Sequence, residues 1–371
     1  MRKFHAAQLD DLAFGAAVLG TGGGGNPYVG KLLAQEAIRA HGPITIVDPE
    51  EVPDDGLVVS TAMMGAPTIM VEKVPAGNEV VVAFKALEKY LGRPITHTVA
   101  AEAGGLNSIT PFTLAAQIGL PVVDADLMGR AFPELQMCLP SLYGASATPM
   151  AMADEKGNSV VINTISNRWT ERIARSVTID MGCSSLIALY PMSGKQLKEM
   201  TIPGTLLLAE DIGRIARQTR AAHGDVVAAV EKRIGGFRLF QGKIVDIARR
   251  TDAGFAKAEA RLEGSGPSAG STLVLDVQNE HLVARLDGEI AASVPDLIIM
   301  LDSESGEPIT TEEMRYGFRV TVIAAPCDPR WRTAEGLEVV GPRYFGYDVD
   351  FVPIEERRAT AARRAERADR R

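Results

Sequence analysis

Apolar residues at Leu9, Leu12, Ala13, Ala16 and Leu19 fall at helical spacing and predict a helix over 8–20. A second amphipathic stretch, 28–40, predicts another. Compact apolar runs at 44–48 and 57–61 read as short strands. Further on, 80–91 is helical, 96–101 a strand, 111–118 a helix closed by Gly119, and 121–124 a short buried strand. Strands alternating with helices imply a mostly parallel sheet covered on both faces. Residues 1–165 are therefore expected to form a three-layer α/β sandwich.

The pattern changes in the second half. Helical stretches at 166–176, 205–221 and 226–232 precede short β segments beyond Gly235, at 243–248, 254–262, 271–277, 281–286, 297–301 and 320–325. Alternation in Thr272-Leu-Val-Leu-Asp-Val-Gln278 predicts an antiparallel strand with one face buried. Residues 166–355 thus read as a β-rich second domain, barrel- or sandwich-like, with a helical insert.

Composition narrows the classes of protein this can be. A chain of 371 residues has room for two cores. No apolar run reaches the roughly 18 residues of a membrane span. The opening residues lack the apolar stretch of a secretory signal, so a cytoplasmic location is expected. Three widely spaced cysteines, Cys138, Cys183 and Cys327, suit a reducing compartment. A net charge of −8 argues against a nucleic-acid partner. Only 356–371 is basic, and without an apolar stripe it reads as a frayed, solvated helix or as disorder.

Four consecutive glycines in Leu19-Gly-Thr-Gly-Gly-Gly-Gly-Asn-Pro27 are the strongest local signal. Gly25-x-x-x-x-Gly30-Lys31 imitates a P-loop, but Leu32 stands where Mg²⁺ chemistry needs a hydroxyl. Gly20-x-Gly22-x-x-Gly25 with Asp48 imitates a dinucleotide fingerprint, which would make this an NAD-dependent enzyme. Both motifs need a preceding strand, and the spacing here is helical. Two readings remain. Either bare N–H groups hold a polar substrate, with Gly22, Gly23, Gly24, Gly25 and Asn26 as binding candidates, or the glycines make a tight turn between crowded elements.

In open α/β sheets ligands bind beyond the carboxyl ends of the strands. The 96–101 strand runs into Glu102-Ala-Gly-Gly-Leu-Asn107, and the 121–124 strand into Asp124-Ala-Asp126 with Arg130 just beyond. Glu102, Asp124 and Asp126 are the catalytic candidates, as general acid–base groups. Asn107 and Arg130 join the binding candidates, Arg130 as a partner for a substrate carboxylate. Asp124 and Asp126 project to the same side of an extended segment and could share a metal or a proton; alternatively Asp124 caps a loop and Asp126 pairs with Arg130. His97 and Cys183 complete the metal-ligand candidates, against the plainer readings of a core histidine and an inert thiol. Ser108 or Thr110 reads as the N-cap of the next helix. No Gly-x-Ser-x-Gly elbow is present, which weakens a lipase-like reading.

The stretches 19–27, Met64-Gly-Ala-Pro67 with Glu72-Lys73, 102–107 and, most specifically, 121–136 resemble the DUF917 family. That family is associated with S-methyl thiohydantoin desulfurase and with hydantoinase-type proteins. The resemblance implies a three-layer α/β domain joined to a β-barrel-like domain. It also implies hydrolysis of a small cyclic amide or thio-imide, such as conversion of an S-methyl thiohydantoin to a hydantoin with release of a thiol. Gly22 to Gly25 would then hold the ring, and a divalent metal such as Zn²⁺ would activate water if Asp124, Asp126, His97 and Cys183 converge. A homo-oligomer, a hydantoinase-type partner, or a non-catalytic subunit of such a complex fits the same motifs.

Overall fold

The computed structural model describes residues 1–65, 69, 73, 75–252 and 255–360. Ala66, Pro67 and Glu72, and the tail beyond 360, lie outside the described residues. The chain divides into two compact units, Met1–Arg214 and Ile215–Arg371. Among the described residues no helix is long and apolar enough to cross a membrane.

In the first unit the elements follow in chain order. They begin with β1 (Arg2–Phe4), α1 (Leu9–Leu19), α2 (Tyr28–His41), β2 (Ile44–Val47), β3 (Leu57–Gly65) and α3 (Glu79–Leu91). Next come β4 (His97–Ala100), α4 (Thr110–Ile118), β5 (Val122–Asp126), β6 (Met150–Ala153), β7 (Ser159–Ile162) and α5 (Asn167–Asp180). The unit continues with β8 (Ser184–Ser193), α6 (Gly194–Met200), β9 (Ile202–Pro203) and the start of α7 (Thr205–Ala221).

The sheet runs in the order β1-β2-β5-β4-β3-β8-β6-β7, with β9 attached to β5. Its centre, β2-β5-β4-β3, is parallel, as the alternation of strands and helices predicts. The flanking strands β1, β8, β6 and β7 are antiparallel. The unit extends past 165 because β8 pairs along the length of β3, from Leu57↔Ser193 to Gly65↔Ser184.

Helix α3 shows why the layers hold. Val80, Ala83, Phe84 and Leu87 lie on one helical face and pack on Leu57, Val59, Ala151, Ala153 and Ala188 of the sheet. Phe84 is fully buried, so its truncation to alanine costs about 3–5 kcal/mol. The helix stops at Gly92, which takes the left-handed conformation at φ 66°.

The second unit contains α8 (Val226–Arg233), β10 (Phe237–Asp252), β11 (Phe255–Gly264), β12 (Thr272–Gln278), β13 (Glu280–Leu286), β14 (Glu289–Ser293), β15 (Leu297–Asp302), β16 (Arg319–Ala325) and α9 (Ala334–Val340). A seven-stranded antiparallel sheet, ordered β14-β13-β12-β11-β10-β16-β15, curls into a half-barrel. The alternation in β12 is realised: Leu273, Leu275 and Val277 are buried, and the residues between them are half-buried. Those three join Phe240, Ile244, Leu262, Ile298, Met300 and Val322 in the core. The described chain ends in a helical segment, 354–360.

Candidate active site

Two glycine-containing loops meet at the carboxyl end of the parallel strands. One follows α1 and the other follows β4. The Leu106 N–H donates to the Gly24 carbonyl at 2.9 Å. A Cβ on Gly24 would sit 2.6 Å from Gly104 Cα, and Gly24 has φ +71°. A Cβ on Gly104 would lie 3.0 Å from both Gly24 Cα and Glu102 Oε1. The close-turn reading therefore accounts for these two glycines, since backbone touches backbone. The substrate reading keeps support from other atoms of the loop. Among the described residues the N–H groups of Gly22, Gly24 and Gly25 make no hydrogen bond, whereas Gly23 donates to the Gly20 carbonyl at 2.8 Å.

Both nucleotide motifs lose their context here. Helix α1, not a strand, leads into the glycines. Asp48 instead opens a short helical turn, its N–H donating to Glu51 Oε2 at 2.9 Å.

Glu102 stands where β4 ends, and is 5% exposed. Its Oε1 accepts from Asn107 Nδ2 at 2.7 Å and its Oε2 from the Phe132 N–H at 3.4 Å. Asn107 is itself locked to β3, its Oδ1 accepting from the Met63 N–H at 2.7 Å. Asn107 thus aims Glu102 from the neighbouring strand. Burial pushes the Glu102 carboxyl up to about 7, and the nearby Asp126 charge adds to the rise. The hydrogen bonds from Asn107 and Phe132 and the Arg130 cation pull the other way. A carboxyl that titrates near neutrality is suited to both taking and returning a proton.

Asp126, at the end of β5, is fully buried. Its Oδ2 accepts three N–H groups, from Ala103 at 2.8 Å, Met128 at 2.9 Å and Gly129 at 2.6 Å. Burial still raises it to about 6, against those bonds. The Thr205 hydroxyl faces it and favours its charged form, yet falls short of a hydrogen bond. Asp126 Oδ1 and Thr205 Oγ1 are both buried without a hydrogen-bond partner among the described residues.

Asp124 takes a different role. Its Oδ1 accepts from Leu206 N–H at 3.0 Å and Leu207 N–H at 3.1 Å, so it caps the first turn of α7. Its carboxyl is raised by burial and held down chiefly by the Leu207 bond. This is the capping alternative, with a helix as the thing capped.

Arg130 is fully buried. Its Nη2 donates to Thr21 Oγ1 at 2.7 Å, its Nε donates to the Ala131 carbonyl at 3.0 Å, and its guanidinium lies 4.7 Å from the Phe132 ring centre. It therefore ties the glycine loop to the loop after β5. Asn26 accepts from the Tyr28 N–H at 2.7 Å with its Oδ1, opening α2. The expected capping by Ser108 or Thr110 is not what forms. Ile109 occupies the cap position of α4 without a side-chain bond. Ser108 Oγ instead braces the turn, accepting from the Gly104 N–H at 3.1 Å, and Thr110 Oγ1 donates back to the Leu106 carbonyl at 3.2 Å. The turn beginning at Glu102 folds back on itself, so the cap position falls one residue after Ser108.

The metal-ligand candidates do not assemble. His97 begins β4, at the opposite end of that strand from Glu102, and its Nδ1 is 2.9 Å from Thr96 Oγ1. Burial lowers its pKa. Cys183 turns the chain into β8 at φ 64°, its carbonyl packed against Gly65. Asp124 and Asp126 each hold backbone N–H groups instead. Among the described residues no three His, Cys, Asp or Glu side chains are grouped to hold a metal. Among the described residues the zinc expectation thus lacks a donor set.

Sequence reasoning missed Thr205 and Thr21. Thr205 follows Pro203-Gly204 and looked like an ordinary helix start. Only the pairing of β9 with β5, at Ala125↔Pro203 and Asp126↔Ile202, brings it to the site.

A parallel-centred α/β sheet with two buried carboxyls, Glu102 and Asp126, at its strand ends, and in the same chain a curled antiparallel half-barrel, define a two-unit α/β protein. Family comparison then assigns the chain: it belongs to the S-Me-THD-like (S-methyl thiohydantoin desulfurase-like) family. The N-terminal domain model matches residues 7–164 and the C-terminal domain model residues 165–354. The fold is similar to the crystal structure of a protein from Chromobacterium violaceum, with TM-score 0.77 and 23% identity, covering 95% of this chain and 100% of that one. No curated protein sequence matches the chain.

Proposed function

We propose that the protein hydrolyses a small cyclic amide or thio-imide, with Glu102 as the group that moves the proton. The observation that carries this reading is the Glu102 carboxyl: buried, aimed by Asn107 and raised to about 7. For an S-methyl thiohydantoin, water adds to the ring carbon that bears the methylthio group. Glu102 takes one water proton as the C–O bond forms. The C–S bond then breaks, and Glu102 returns its proton to the departing methanethiolate, leaving a hydantoin. The Asp126 charge favours the protonated form of Glu102 and so strengthens it as the base that takes the water proton. N–H groups of Gly22, Gly24 and Gly25, unpartnered among the described residues, are suited to a ring carbonyl.

Membership of the S-Me-THD-like family supports the substrate class. The test is thiol release from an S-methyl thiohydantoin by the purified protein, followed with a thiol-reactive dye. Stoichiometric hydantoin and methanethiol are expected. A folded protein that releases no thiol, and opens no related cyclic imide, would point to a non-catalytic subunit instead.

A further inference from the structure

The second unit contains a cavity that none of this chemistry uses. Its volume is about 530 Å³, within the roughly 300–1,000 Å³ typical of small-molecule sites. Leu239 of β10, Leu286 at the end of β13, Ile290 of β14 and Val352 give it an apolar wall. Two arginines from the 354–360 helical segment, Arg357 and Arg358, lie along the same cavity, with Glu289 as the acid.

Arg357 is the informative residue. It is half-buried, with Nε donating to the Val352 carbonyl at 3.2 Å and Nη1 to the Ile290 carbonyl at 3.0 Å. These carbonyls position the guanidinium but carry no full charge. Among the described residues no carboxylate pairs with it. Burial lowers its pKa; the charge of Asp296, which is ion-paired with Arg332, pulls the other way without outweighing it. Its Nη2 retains donors, and the exposed Arg358 adds a second cation.

We propose that this cavity binds a small monocarboxylate with an apolar body. The arginines take the carboxylate, and the aliphatic wall takes the body. Glu289 disfavours a second carboxylate on the ligand, so monoacids are preferred to diacids.

Calorimetric titration of the full chain with phenylbutyrate tests this, with phenylbutyramide as the neutral control and phenylglutarate as the diacid. Saturable binding of phenylbutyrate is expected, tenfold or more tighter than the amide, on the order expected for a charge-assisted pair. Leu286→Trp fills the cavity and should abolish binding, while a thermal melt reports that the variant is folded. Arg358→Met, on an exposed side chain, should weaken binding by about tenfold. Glu102→Gln should leave it unchanged, separating this site from the catalytic one. A flat titration, an amide that binds as well as the acid, or folded Leu286→Trp with undiminished binding each overturns the proposal.

Discussion

Glu102→Gln should make the protein more stable above neutral pH while removing its activity. The amide has nearly the same shape as the carboxyl and keeps an oxygen for the Asn107 Nδ2 donor. In the unfolded chain Glu102 titrates at the ordinary glutamate value of 4.5, and in the native chain at about 7. The native site therefore holds its proton more tightly than the unfolded chain does. Its contribution is fully favourable below the unfolded value and is lost as pH rises through the native one. Over that window of 4.5 to about 7, at about 1.4 kcal/mol per pH unit, ionisation removes about 3 kcal/mol of native stability. Glutamine has no such loss. Urea unfolding at about pH 5 and about pH 8 should show the two proteins nearly equal at the lower pH, with the variant ahead by about 3 kcal/mol at the higher. Parallel loss of stability in both proteins would refute the reasoning, because the proton would then belong to another group.

Asp124→Ala should cost about 1–2 kcal/mol by uncapping α7, whereas Asp124→Asn should keep both the cap and turnover; lost turnover in a fully folded Asp124→Asn would place this residue in the catalytic machinery. Gly24→Ala should destabilise by about 2–5 kcal/mol, combining left-handed strain with backbone overlap, and an unchanged urea midpoint would show that the two loops do not touch. Asp126→Ala strands three N–H donors, two of them buried, and should cost about 3 kcal/mol or more. Asp126→Asn should restore most of that stability, and equal unfolding midpoints for the two variants would rule out the N–H cradle.

Much of this architecture was legible because local pattern and tertiary demand agree. The parallel strands are short apolar runs set among helical patterns, and β12 alternates as a half-barrel strand must. Strands β6 and β7 were not legible. Met150-Ala-Met-Ala153 has no β-branched residue, and the exposed valines of β7 carry no buried face. The placing of Glu102 at a buried strand end could be read from the chain, because it follows an apolar strand and precedes two glycines. The task of Asp124 could not, because the N–H groups it holds lie 82 and 83 residues away. Arg130 likewise read as a substrate ligand, but its partner Thr21 lies 109 residues away.

The most direct test of the central claim is the pH dependence of thiol release from an S-methyl thiohydantoin, measured on the native protein and on Glu102→Gln. The native protein should show a titration in kcat/KM close to the Glu102 value of about 7. The variant, still folded, should be slower by about a hundredfold or more, the scale of a general acid–base group, with that titration gone. A Glu102→Gln protein that releases thiol at the native rate with the same pH profile would contradict the account.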